Sequence, residues 1–141
     1  MSKAETTVNE IDVTTTLPIY ARSEANNRDN RRKKAARVKE QRGVVRAMIH
    51  GHACRVLQMA RVFNPNPVFD VSLTRIRRRS AKPLDDDNLR TSLKAVRDGV
   101  ADALGIDDGD TKRLRFTYAQ EPGSDFGVRI QIKSTGGTVN L

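Results

Sequence analysis

The chain has 141 residues with 26 Lys and Arg against 17 Asp and Glu, a formal net charge of +9. That length suits one domain that closes a core without disulfides or a structural metal; no apolar run nears the ~18 residues of a membrane-spanning helix, and MSKAETTVNE lacks the layout of a secretory signal. The lone Cys54 makes no intrachain bridge and fits a reducing cytoplasm, while a pI near 10.3 points to a polyanionic partner, by default nucleic acid.

In chain order, residues 1–10 read as a flexible tail and 11–133 as the single domain. IDVTTTLPIYA, residues 11–21, is β-branched and reads as a first strand ending near Pro18. A polar loop follows. Residues 31–63 carry apolar residues mostly at three- and four-residue steps, among them Val38, Val45, Met48, Ile49, Val56, Leu57 and Met59, and read as one kinked helix or two, interrupted at Gly43 and Gly51. The basic run RDNRRKKAARVKEQR, residues 28–42, suits either DNA arms or a solvated helix face. NPNP at 64–67 is a stop. VFDVSLTRIRRR, residues 68–79, alternates, with Phe69, Val71 and Leu73 on one face and Asp70, Ser72 and Thr74 on the other.

Residues 87–104 predict a helix whose stripe is Leu89, Leu93, Val96, Val100 and Leu104, stopped by Gly105. Asp87 is placed as its N-cap, and Thr91, Lys94 and Asp98 lie opposite the stripe as a solvated face with a Lys94–Asp98 pair. TKRLRFTYAQ is a strand with Leu114, Phe116 and Tyr118 on one face. EPGSD reads as a hairpin loop into FGVRIQI, with Val128, Ile130 and Ile132 inward. Residues 134–141 read as a frayed tail. The order predicts an α+β fold: a mixed, mostly antiparallel sheet with two main helices packed on one face.

Eight of the 17 acids fall between Asp85 and Asp110. The helix macrodipole favours carboxylates at Asp85, Asp86 and Asp87, but helix capping leaves the third without a task. Asp107, Asp108 and Asp110 form a second cluster. Eighteen helical residues span roughly 27 Å, so the clusters meet only if the following strand returns beside the helix, if the helix breaks at Gly99, or across a dimer. Oxygen-rich clusters suit Mg²⁺. DDGD is not an EF-hand loop, and Walker, Rossmann and CxxC patterns are absent. His50 and His52 read as packing or surface residues, and Cys54 as buried and inert. Basic residues that attract a phosphate backbone around an acidic metal site suit phosphodiester hydrolysis.

LDDDNLRTSLKAVRDGVADALGIDDGD, residues 84–110, resembles the signature of the RusA family of Holliday junction resolvases, small homodimeric Mg²⁺-dependent endodeoxyribonucleases. The resemblance covers about a fifth of the chain, and its flanks, a basic strand before and a β-hairpin after, are similar to the family's. It implies that Asp85, Asp87 and Asp108 are catalytic metal ligands, with Asp107 beside them, that Asn88 accompanies the Asp-x-Asp, and that Lys94 contacts the scissile phosphate or steadies the attacking water. The family's lysine normally stands where this chain has Thr91; on a continuous helix Lys94 keeps its direction but shifts about 4.5 Å along the axis. Arg75, Arg77, Arg78, Arg79 and Lys82 are expected to contact phosphates beside the site.

The expected function is therefore a cytoplasmic endonuclease of a bacterium or phage-infected cell. It would resolve four-way DNA junctions in recombination and repair as a homodimer, with Mg²⁺ or Mn²⁺, no small-molecule cofactor and no membrane partner. The alternatives are a non-catalytic branched-DNA-binding protein and an RNA-binding or RNA-cleaving one.

Overall fold

The computed structural model describes residues 5–7, 11–22, 31–63, 66–134 and 138–140. Along β3 (Phe69–Arg78) the side chains alternate, and Phe69, Val71, Leu73 and Arg75 are buried while their neighbours are partly exposed. The same period runs along β5 (Gly127–Ser134), which buries Val128, Ile130 and Ile132. These faces join β2 (Ile11–Leu17) and β4 (Leu114–Gly123) in a four-stranded sheet of order β2-β5-β3-β4. β5 is antiparallel to both β2 and β3, and β3 is parallel to β4, so the sheet is mixed and the fold is α+β.

The EPGSD segment is not a hairpin loop. β3 lies between β4 and β5, pairing with one from Phe69↔Leu114 to Arg78↔Gly123 and with the other from Phe69↔Ser134 to Ile76↔Gly127. The connection from β4 to β5 must therefore pass the end of β3. The crossing is close: a Cβ on Gly123 would lie 2.6 Å from the Ile76 side chain. The helical crossover after β3 returns the chain to the open edge of β3, so the two last strands end on opposite sides of it.

Helix α1 spans Arg31–Phe63 without interruption, passing Gly43 and Gly51, beside which nothing lies within 4 Å. Its buried stripe is Val45, Ile49, Ala53, Val56 and Ala60, while Met48 and Met59 stay exposed. The basic residues 31–42 carry no buried side chain and form a largely solvated end of this helix; residues 28–30 of the run lie outside the described residues. The expected 87–104 helix is two helices, α2 (Asp86–Ser92) and α3 (Lys94–Leu104), although Leu89, Leu93, Val96, Val100 and Leu104 are all buried as the stripe predicts. Helix α3 packs mainly on α1, and the helices cover one face of the sheet, leaving Asp70, Ser72 and Thr74 on the open side. Within the stretches read as tails, Glu5–Thr7 (β1) pairs antiparallel with Thr138–Asn140 (β6).

The α1–α3 contact turns on Gly99. A Cβ there would meet Arg42 O and the Val45 side chain at 2.8 Å, below any ordinary contact. Gly99→Ala is expected to destabilise the fold by about 1–2 kcal/mol, because overpacking against backbone outweighs the gain in helix propensity. Gly51→Ala, which meets nothing, is expected to stabilise by about 0.5–1 kcal/mol. Urea unfolding of the two variants with an unchanged m-value tests the pair; equal effects would refute the close contact.

Candidate functional site

The loop after β3 is pinned to β4 by Gln120, whose side chain accepts from Leu84 N–H at 2.9 Å and donates to Leu84 O at 2.5 Å. The next residue, Asp85, is the true N-cap of α2: its backbone is extended (φ −69°, ψ 169°) and its Oδ1 accepts from Asn88 N–H at 2.8 Å. Asp87, expected in that role, instead sits in the first turn beside Asp86, two residues past the cap. All three carboxylates are exposed, and among the described residues none forms an ion pair.

Helix α2 ends after two turns for local reasons. Thr91 Oγ1 donates to Asp87 O at 2.9 Å, and buried Ser92 Oγ donates to Leu89 O at 2.7 Å, so both hydroxyls compete for carbonyls of the preceding turn. Leu93 leaves helical geometry (φ −98°, ψ 2°) and its N–H is shared between Leu89 O and Arg90 O at 3.2 Å. Lys94 then opens α3 with its side chain exposed. The break, at Leu93 and not at Gly99, removes the continuous helix on which Lys94 shared a direction with Asp87.

The solvated face expected around Asp98 is not present. Asp98 is only 9% exposed, and its partner is Arg97 (3.5 Å), not Lys94. The same Arg97 Nη2 binds Asp108 at 3.1 Å. Asp98 and Asp108 thus face each other across one guanidinium. Burial pushes the Asp98 pKa up, Arg97 opposes this, and the neighbouring Asp108 adds to the rise. Burial lowers the Arg97 pKa, but contacts with Tyr118, Asp98 and Asp108 outweigh it and raise it. Tyr118 also lies under Arg90, 5.7 Å from the ring centroid to the guanidinium carbon. Arg42 reaches from α1 to Asp102 through two contacts of 2.5 and 2.7 Å and holds the Asp102 carboxyl below its ordinary range. Arg42, Asp98, Asp102, Asp107 and Asp108 line one cleft at the C-terminal end of α3.

The turn after α3 consumes two of its acids. Gly105 is left-handed (φ 68°), Asp107 Oδ1 accepts from Gly109 N–H at 2.9 Å, and Asp110 Oδ1 accepts from Arg113 N–H at 3.3 Å. The donor set Asp85, Asp87, Asp107 and Asp108 is all oxygen, the right chemistry for a hard cation. Among the described residues, however, no three Asp, Glu, His or Cys side chains converge as a metal-holding group, so Asp85, Asp87 and Asp108 are not gathered into one cage. Cys54 is half-buried and 3.5 Å from His50 Nε2, not a fully buried thiol, because its side of α1 is only partly covered.

The basic residues divide. Arg79 and Lys82 are exposed and unpartnered among the described residues. Arg77 Nη1 donates to Ala81 O at 2.9 Å, and Arg78 pairs with Asp125 at 3.1 Å while lying over the Phe126 ring. Arg75 is not an exposed strand-end cation. It shares the buried face of β3 with Leu73, is 6% exposed, and donates from Nε to Ala21 O at 2.7 Å. The residues that sequence reasoning missed are Asp98, Arg97 and Arg42. A usable signal was the run of small residues Ala95, Gly99 and Ala101, which widens the buried face of α3 and takes in Asp98.

No protein-family model matches the chain, and no curated protein matches it. No helix among the described residues is long and apolar enough to cross a membrane.

A raised Asp98 pKa fixes a sign. The folded state holds this proton longer than the unfolded state, so the cost of charged Asp98 is absent in acid and grows as pH rises from the ordinary carboxylate value through the raised folded one. Asp98→Asn should therefore gain stability relative to the parent as pH is raised from acid to neutral, in EDTA. A flat or falling difference in urea midpoints would contradict the buried carboxylate pair.

Proposed function

We propose that the protein is a divalent-metal-dependent endonuclease of the RusA type, a homodimer that nicks paired strands of four-way DNA junctions in recombination or repair. The observation that carries this reading is the placement of Asp85, Asp86 and Asp87. Three adjacent carboxylates stand exposed and without a cation in a chain of net charge +9, directly after the basic end of β3. Helix capping occupies one of them. Unpaired acids beside Arg77, Arg79 and Lys82 make sense where a cation and a phosphate backbone meet.

In this reading Asp85, Asp87 and Asp108 hold Mg²⁺ or Mn²⁺, with Asp107 next to them. A bound divalent ion supplies a water of lowered pKa and offsets charge on the leaving oxygen. Arg77, Arg79 and Lys82 hold the strand's phosphates, and Asn88 lies beside them. The exposed Lys94 ammonium meets the scissile phosphate. A second reading, branched-DNA binding without cleavage, is favoured by one observation: Asp108 is engaged by Arg97 and does not converge with Asp85 and Asp87.

A labelled four-way junction, a linear duplex and a structured RNA, each with Mg²⁺ and with EDTA, separate these readings. The expected result is symmetric nicking of the junction alone, abolished by EDTA and reduced at least about 100-fold by Asp87→Asn. Lys94→Ala should also lose activity and Thr91→Ala should retain it. Tight junction binding with no nicks in Mg²⁺ would leave the binding protein.

A further inference from the structure

The cavity at the end of β3, apart from the acidic motif, contains a charge imbalance of the opposite sign. It has a volume of about 360 Å³ and is lined by Tyr20, Arg75, Arg77, Arg78, Ser80 and Phe126, among others. Arg75 is the buried member. Its Nε is spent on Ala21 O, but its Nη1 is buried with no hydrogen-bond partner among the described residues. Among the described residues no carboxylate pairs with it. Asp125, next to Phe126 in the chain, is engaged by Arg78 and by Phe126 N–H. Burial pulls the Arg75 pKa down, Tyr20 opposes this, and the neighbouring cation Arg77 adds to the fall. A buried guanidinium without a counter-ion is strongly unfavourable, and a fully built sheet position holds it there.

One wall of the same cavity is aromatic. The Tyr20 and Phe126 rings have centroids 5.3 Å apart at 58°, and Tyr20 is 54% exposed. An exposed tyrosine beside a buried cation is the pairing that a nucleotide satisfies, the base against the ring and the phosphate toward the guanidinium. The cavity volume lies at the lower end of small-molecule sites, about 300–1,000 Å³. We propose that this cavity is a nucleotide-binding site, with the phosphate drawn to Arg75 and the base against Tyr20 and Phe126, and that it anchors one nucleotide of a nucleic-acid strand. That the nucleotide belongs to a strand rests on the function proposed above; the cavity, its charge and its aromatic wall do not.

The test uses the full chain labelled with 3-fluorotyrosine, which carries only two tyrosines, so ¹⁹F spectra give one signal for Tyr20 and one for Tyr118 as an internal control. Thymidine monophosphate, thymidine and inorganic phosphate are titrated separately at low salt in EDTA. The expected result is a saturable shift of the Tyr20 signal alone, with the nucleotide bound at least 10-fold more tightly than thymidine or phosphate. Arg75→Gln should abolish the shift. If that variant does not fold, Tyr20→Leu, at an exposed position, serves by calorimetry and should lose the preference for nucleotide over phosphate. An unmoved Tyr20 signal, or phosphate binding as tight as nucleotide binding, would overturn the site. Neither readout involves cleavage, so a junction nuclease without the Tyr20 shift sinks this site alone, and the shift without nicking sinks the nuclease reading alone.

Discussion

The Arg42 carbonyl and the Val45 side chain of α1 occupy the space where residue 99 would carry a side chain. That contact sets the depth of α3 against α1, and with it the surroundings of every acid on α3. At this separation Arg42 reaches Asp102 with both arms, while Asp98, one residue before the contact, loses its access to water. A solvated Asp98 would need α3 to stand away from α1, which would open the stripe of Val96 and Val100. Burial of apolar surface, at roughly 25 cal/mol per Å², therefore outweighs the desolvation of one carboxylate that two guanidiniums partly offset.

The acids of residues 85–110 fall into two populations as a result. Asp98, Asp102 and Asp108 are bound to arginines, and Asp107 and Asp110 fold the turn that carries the chain into β4. Asp86 and Asp87 have none of these tasks, and Asp85 has only a cap. A basic chain does not lack cations to neutralise them. Arg79 and Lys82 are exposed within a few residues, yet no pair forms among the described residues. Position along the chain thus says little about neutralisation here; the fold separates nearby opposite charges.

Period-two patterns in β3 and β5 were legible because each strand has one buried face, in β4 because Leu114, Phe116 and Tyr118 are fully or partly covered, and the stripe of Leu89, Leu93, Val96, Val100 and Leu104 was legible for the same reason. Periodicity reports burial and says nothing of partners. Hence the last two strands read as a hairpin, although β3 lies between them. The break at Leu93 was equally hidden, since the stripe runs through it in phase; only the hydroxyls of Thr91 and Ser92 mark it. Asp98 and Arg75 were both misplaced toward solvent, Asp98 because it lies opposite the stripe of a continuous helix and Arg75 as part of a basic strand end. The close approach at Gly99 in one case and the Phe69–Val71–Leu73 alternation in the other carries the residue inward. Extending that alternation by one more step would have buried Arg75.

Gln120 links the strand position of the buried cation to the loop that carries the exposed acids. Arg75 is in register with Gln120 on the same face of the sheet, strands about 4.8 Å apart, and Gln120 is the residue that holds Leu84 just before Asp85. Both polar ends of Gln120 are spent on the Leu84 backbone, so it neutralises neither Arg75 nor the carboxylates that follow Leu84. In the reading proposed above, a phosphate would be attracted at Arg75 and repelled at Asp85–Asp87 until a cation offset those carboxylates.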